Sequence, residues 1–186
     1  MQKIILASGS PRRKQLLQWA EVEFEVIVSD TDESFPGNLG FADAAIYIAQ
    51  NKALAVANAL KQTAVILAAD TIVVCNNKII GKPKDRQDAI EILSELSGNI
   101  HQVITGVAIL NKGNHILFAD TTTVHFHPLS QAQIEFYIDH YKPYDKAGAY
   151  AIQEWIGVIG IKRVEGCFYN VMGLPVSRVV QALQKL

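Results

Sequence analysis

Cysteine is scarce, with two in 186 residues. Cys75 and Cys167 form neither a CxxC pair nor a metal-ligand spacing, so no zinc site is indicated. They read as reduced thiols in a cytoplasmic protein rather than as a disulfide. Charge of one sign is missing as well. The formal net charge is −1, which leaves no overall attraction for nucleic acid or for an anionic membrane. No run approaches the ~18 apolar residues of a membrane span, and the N-terminus shows no apolar leader with a cleavage site. Glycine loops for phosphate are absent too, since neither GxxxxGK nor GxGxxG occurs. Any anion site must therefore be built from local charges. What remains is ordinary globular composition, 49% hydrophobic and 19% charged. At this length it supports a real core in one domain or two closely joined lobes.

Against this even background one stretch near the start stands out, Ile4-Ile5-Leu6-Ala7-Ser8-Gly9-Ser10-Pro11-Arg12-Arg13. The apolar run predicts a buried strand, ended by a Ser/Gly turn. Ser10 suits an N-cap and Pro11 the first helical position, and Leu16, Leu17 and Ala20 mark the apolar face of the helix that follows. Arg12 and Arg13 break the pattern. Two cations in a first turn oppose the partial positive charge of the helix N-terminus, at about 0.3–1 kcal/mol each. Either both point into solvent, or they and the free backbone N–H groups meet an anion. A phosphate suits the second reading, because helix N-termini and arginine forks both bind it.

Glu23–Val28 alternates as a half-buried strand and runs into Ser29-Asp30-Thr31-Asp32-Glu33-Ser34-Phe35-Pro36-Gly37, an acidic, turn-rich loop. Its three carboxylates suit a divalent cation, which takes hard oxygen ligands, or a solvated surface. From Phe41 to about Lys61 apolar residues recur at helical spacing (Phe41, Ala45, Ile48, Ala49, Val56, Leu60), and Lys52 lies on the same stripe. A lysine there either snorkels to the edge or lines a cleft. Ala64–Val74 is the most apolar run and predicts a central strand, interrupted by Asp70-Thr71. A carboxylate inside such a run is costly to bury unless paired, hydrogen-bonded or bound to metal. A proton acceptor, a metal ligand or a turn cap would each account for it.

Asn76-Asn77-Lys78 predicts a tight turn, returning through Ile79-Ile80 to Gly81-Lys82-Pro83-Lys84, where two lysines beside a stiff proline could meet phosphate. Asp85–Leu96 predicts an amphipathic helix of architectural role. His101–Leu110 and His115–Phe126 predict a hairpin closed by Asn111-Lys112-Gly113-Asn114. His125 and His127 share a strand face but lack a third ligand at matching spacing. Ser130 caps a helix reaching about Tyr141. In Tyr144–Trp155 small residues, two tyrosines and a tryptophan surround Gln153, which suits a flat ligand or an ordinary aromatic-packed turn. An amide side chain donates and accepts at once, as a uracil-like edge requires. Gly157–Gly160 and Val164–Gly173 read as glycine-punctuated connections. Pro175 opens a last helix with Val176, Val179, Val180, Leu183 and Leu186 toward the core.

Taken in order, several of these pieces resemble the Maf proteins, nucleoside triphosphate pyrophosphatases once described as septum-formation inhibitors. They are Leu6–Arg13, Asp32-Glu33, Asn51-Lys52-Ala53, Ala69-Asp70-Thr71, Gly81-Lys82-Pro83, Thr105-Gly106-Val107, Asp145–Gln153 and Tyr169–Pro175. The resemblance runs from end to end and implies a single Maf-like domain over residues 1–186. It implies a two-lobed mixed α/β fold similar to the inosine triphosphate pyrophosphatases, with the nucleotide in the inter-lobe cleft. It also implies hydrolysis of a nucleoside triphosphate to monophosphate and pyrophosphate with a divalent cation (Mg, Mn or Co). Carried over residue by residue, Asp70 is the proton acceptor and, with Glu33, a metal ligand. Ser8, Arg13, Lys52 and Lys82 bind phosphate. Arg12, Thr71 and Gln153 match positions that set base preference in the subgroup acting on dTTP and UTP, with modified pyrimidine triphosphates as further substrates. A sister subgroup acting on 7-methyl-GTP differs there. A homodimer is implied only by the resemblance. Two alternatives stay open: the same chemistry on 7-methyl-GTP or another purine, and a non-catalytic nucleotide-binding regulator of cell division. The regulator would keep Arg13, Lys52 and Lys82 without needing Asp70 and Glu33 together.

Overall fold

The structure is a computed structural model that describes residues 3–60 and 64–186. β1 (Ile4–Leu6) passes through the Ser/Gly turn into α1 (Pro11–Trp19). The Ser10 hydroxyl accepts from the Arg13 N–H at 3.5 Å and Pro11 opens the helix, as the sequence predicts. Leu16 and Leu17 are buried, whereas Ala20 falls past the helix end as its C-cap. β2 is shorter than expected. Only Glu25–Val26 pair, and both are exposed. It is the edge strand of the sheet and pairs with β1. The acidic loop then leads to α2 (Phe41–Ala59), whose expected last residue, Lys61, lies outside the described residues.

β3 (Val65–Cys75) is the central strand, buried along nearly its whole length. Asn76 and Asn77, at φ 49° and 61°, turn it back into β4 (Lys78–Ile80). Two positive φ values define the primed turn that matches strand twist, and asparagine tolerates them. α3 (Arg86–Leu96) starts at Asp85, whose carboxylate accepts from the Asp88 N–H at 2.9 Å. β5 (Ile100–Asn111) and β6 (Asn114–Phe126) form the expected hairpin, with Lys112 and Gly113 at φ 46° and 85°. α4 (Gln131–Tyr141) opens on a reciprocal capping box between Ser130 and Gln133.

Two stretches expected as connections are regular elements: α5 (Trp155–Gly160), β7 (Ile161–Glu165) and α6 (Phe168–Val171). Glycine serves close packing in the first of them. A Cβ on Gly157 would stand 1.8 Å from the Ile152 carbonyl oxygen. α7 (Val176–Leu183) follows Pro175, but of its expected apolar face only Val179 is buried. Val176, Val180 and Leu183 are half-buried, and Leu186 lies exposed beyond the helix.

The strands share one open sheet in the order β2-β1-β3-β5-β6-β7, with β4 paired to β3 off that path. β1 runs parallel to both neighbours, Leu6 facing Val26 and Leu67. β4 is antiparallel to β3, and β7 to β6. Two compact units divide the chain. The first comprises Met1–Thr71, Thr105–Asp120 and Gly173–Leu186, the second Ile72–Ile104 and Thr121–Met172. Small residues fill the first core: Ala49, Ala53 and Val56 of α2 pack on Ile66 and Ala68 of β3 and on Ala108 of β5. In the second, the Arg86 guanidinium donates twice to Asp139 at 2.7 and 2.9 Å, tying α3 to α4. No helix among the described residues is long and apolar enough to cross a membrane.

Candidate functional site

In the first unit three parallel strands bring the candidate residues to one edge. Ser8 and Arg13 follow β1, Glu33 follows β2, and Asp70 and Thr71 sit in β3. Open parallel sheets place their sites at this carboxyl end. Side chains alternate along β3, so Asp70 shares the face of Ile66 and Ala68 while Thr71 takes the opposite one. Two adjacent residues thus face two sides of the sheet, and each meets a different helix.

On the α2 side, Lys52 Nζ lies 2.6 Å from Asp70 Oδ1 and 2.7 Å from Glu33 Oε1. The lysine side chain is 16% exposed and Asp70 as a residue 8%. The buried stripe of α2 therefore carries its ammonium into the site rather than out to solvent. Two carboxylates meeting on one ammonium account for the charge buried in the most apolar strand.

On the α1 side, the Arg13 guanidinium donates from Nε to the Gly173 carbonyl at 2.8 Å, from Nη1 to Ser8 Oγ at 3.1 Å and from Nη2 to Thr71 Oγ1 at 3.1 Å. Three of its five donors are thereby fixed, and two remain to meet an anion. Burial lowers the Arg13 pKa; Asp70 raises it in part, Arg12 lowers it again and Glu33 raises it. Ser8 Oγ accepts from Arg13 and, at 3.3 Å, from the Ser10 N–H. Both bonds use its lone pairs, so its hydrogen is left to donate. Thr71 Oγ1 also bonds Thr105 Oγ1 at 2.9 Å and lies 3.4 Å from the Gly173 carbonyl.

Ser8, Arg13, Glu33, Lys52, Asp70 and Thr71 are brought together in this way, the first unit holding all six. Arg12 stands beside Arg13 in the first turn of α1, half-buried. Lys82 and Gln153 belong to the second unit and both are exposed. Their segments touch there, the Gly148 N–H donating to the Gly81 carbonyl at 3.0 Å. Two aromatic rings near Gln153 in sequence have partners of their own. Tyr150 is buried, bonded to His101 Nε2 at 2.7 Å, and Trp155 packs against Phe136 at 4.8 Å. Thr105 and Gly173 had no role assigned from sequence. Gly173 sits at φ 114°, a conformation few side chains adopt, and this aims its carbonyl at Arg13.

The donor set suits a hard divalent cation. Asp70 and Glu33 supply carboxylate oxygens around a point already holding positive charge, that of the Lys52 ammonium. Among the described residues no third His, Cys, Asp or Glu joins them. That matches ions held by one or two carboxylates, with phosphates and water completing the shell.

Comparison with known proteins agrees with the ordered motifs. The family model described as Maf-like protein matches residues 3–186. A dTTP/UTP pyrophosphatase of Parabacteroides distasonis is 46% identical over 183 residues, covering 98% of this chain and 95% of that one. One of Cytophaga hutchinsonii is 48% identical, covering 98% and 84%. Among solved structures, a nucleoside-triphosphatase / dITP/XTP pyrophosphatase from Mycobacterium abscessus aligns over 98% of this chain and 93% of its own, with a TM-score of 0.44 and 12% identity. With a family model spanning all but two residues and relatives matched over nearly their whole length, the chain belongs to the Maf family.

Proposed function

We propose that the protein hydrolyses dTTP and UTP, and modified pyrimidine triphosphates, to the monophosphate and pyrophosphate. One observation carries the reading: Asp70 and Glu33 converge on Lys52 within the same unit as the half-buried Arg13–Ser8–Thr71 network. The names of relatives 46% and 48% identical over nearly the whole chain support the substrates.

Phosphoryl transfer asks a protein mainly for positioning and charge stabilisation. Arg13, with two free donors on a guanidinium already locked in place, grips phosphoryl oxygens at little further entropic cost. Ser8 adds one O–H donor, and Lys52 and Lys82 add point charges. Asp70 takes the proton of the attacking water. Its Oδ1 faces Lys52, which leaves Oδ2 for that proton. As the new P–O bond forms, the bridging bond to pyrophosphate breaks and the pyrophosphate leaves with its charge held by the same cations. Asp70 and Glu33 would hold a divalent cation, which supplies charge neutralisation at the phosphoryl oxygens. Arg12, Thr71 and Gln153 set the choice of base, Gln153 through its mixed donor and acceptor edge.

A panel of nucleoside triphosphates, assayed for pyrophosphate with Mg, Mn or Co present, tests the reading. Pyrophosphate should appear fastest from dTTP and UTP. Pyrophosphate from no triphosphate would favour a binding protein, and a purine optimum would reassign the substrate. Asp70→Asn keeps the shape but cannot take the proton, so kcat should fall about 10²- to 10⁴-fold with KM little changed. Near wild-type turnover in that variant removes Asp70 from the chemistry.

A further inference from the structure

Gln153 is exposed, yet Ala151 and Ile152 before it are buried and Glu154 after it is half-buried. One hydroxyl holds both ends of this segment. Tyr137 of α4 accepts from the Ala151 N–H at 3.1 Å and donates to Glu154 Oε2. Tyr137 is itself 0% exposed, stacked on Tyr141 with ring centroids 5.0 Å apart, in a helix fixed by its capping box. The Glu154 carboxylate has a second partner, Lys146 Nζ at 3.8 Å, and that ammonium is anchored 2.7 Å from Asp145 Oδ1. On the other side α5 packs closely against the segment. The missing side chain of Gly157 lets α5 sit directly on the Ile152 carbonyl. All of these residues lie in the second unit.

A phenylalanine would fill the same volume without burying an oxygen, and burying a polar group costs free energy unless it is bonded. Here the hydroxyl uses its donor and one acceptor on the two residues that bracket Gln153. We propose that Tyr137 is a positioning residue for base selection: its hydroxyl fixes residues 151–154 so that the Gln153 amide meets the base edge at one angle. The proposal rests on the reading that Gln153 contacts the base.

The test compares wild type, Tyr137→Phe, Gln153→Ala and the double variant in the full chain, using the ratio of kcat/KM for UTP over GTP. Tyr137→Phe should lower that ratio about three- to thirtyfold through the KM for UTP, with the UTP kcat nearly unchanged. In the Gln153→Ala background the same substitution should change the ratio by less than about twofold, because the two act through one group. Amide exchange should quicken at residues 151–154 in Tyr137→Phe and not elsewhere in the unit. A wild-type ratio in Tyr137→Phe, with the ratio collapsed in Gln153→Ala, overturns the proposal and leaves the base reader standing. A further drop in the double variant overturns it too, since Tyr137 would then act apart from Gln153. An unchanged ratio in Gln153→Ala removes the base reader and the proposal together. Should Tyr137→Phe not fold, Glu154→Gln weakens the same hydrogen bond from its other end and is read by the same ratios.

Discussion

His101 lies on β5 with 1% of its surface exposed, edge-on to the rings of Phe126 and Tyr150. Burial, with a smaller push from His125, lowers its imidazole to about 4 from the usual 6.5. Burial raises the Tyr150 phenol, so Tyr150 keeps its proton while its hydroxyl hydrogen-bonds His101 Nε2 at 2.7 Å. Nδ1 has no hydrogen-bond partner among the described residues. An unfolded chain protonates this histidine near pH 6.5, and the folded one only near pH 4. Stability from this site is therefore complete above about pH 6.5 and is lost as pH falls toward 4, by about 3 kcal/mol in all. Thermal melts between pH 7 and 4 should show that decline, and His101→Gln should flatten it. Nothing in the sequence marked His101, because one histidine in a β-rich run looks like any other. Asp70 and Lys52 were legible for the opposite reason: each is a charge on an apolar pattern. Thr105 was legible only as part of a matching motif and its role was not, since threonine is an ordinary strand residue until Thr71 is seen 2.9 Å away.

α2 and β5 meet at a point where a side chain cannot fit. A Cβ on Gly106 would stand 2.2 Å from the Ala45 carbonyl carbon, so the helix backbone lies directly on the strand. Lys52 is two turns further along the same helix. Gly106→Ala should push α2 off β5, costing about 1–3 kcal/mol or more from overpacking. It should also draw the Lys52 ammonium away from Asp70 and Glu33. Urea unfolding gives the first effect, and kcat/KM for UTP beyond what the lost stability explains gives the second. Element ends written in caps and turns were legible: Ser10-Pro11, Asp85, Ser130, Asn76-Asn77 and Lys112-Gly113 all act as their chemistry dictates. Elements whose identity rests on neighbours were not. Glu23–Val28 alternates well but sits at a sheet edge, where only Glu25 and Val26 pair with β1. Gly157 and Gly160 suggest a loop until Ile152 and Leu129 are found against them.

The first unit is assembled from three separate lengths of chain, and the last of them begins at Gly173. That segment brings the carbonyl that holds Arg13 and the buried Leu174 and Val179. Removing residues 173–186 should therefore abolish pyrophosphate release and leave amides of β1 and α1 exchanging freely, measurable by hydrogen exchange. The motif order was readable along the chain, whereas the return of its far end to Arg13 is a tertiary fact that no local pattern encodes. A contact spanning 160 residues also sets a clock. At roughly 5–20 residues per second of synthesis, Arg13 leaves the ribosome about 8–30 s before Gly173 does. Through that interval the guanidinium lacks the carbonyl that orients it. Under the proposed function, a nascent chain becomes able to hydrolyse nucleotide only when translation is nearly over.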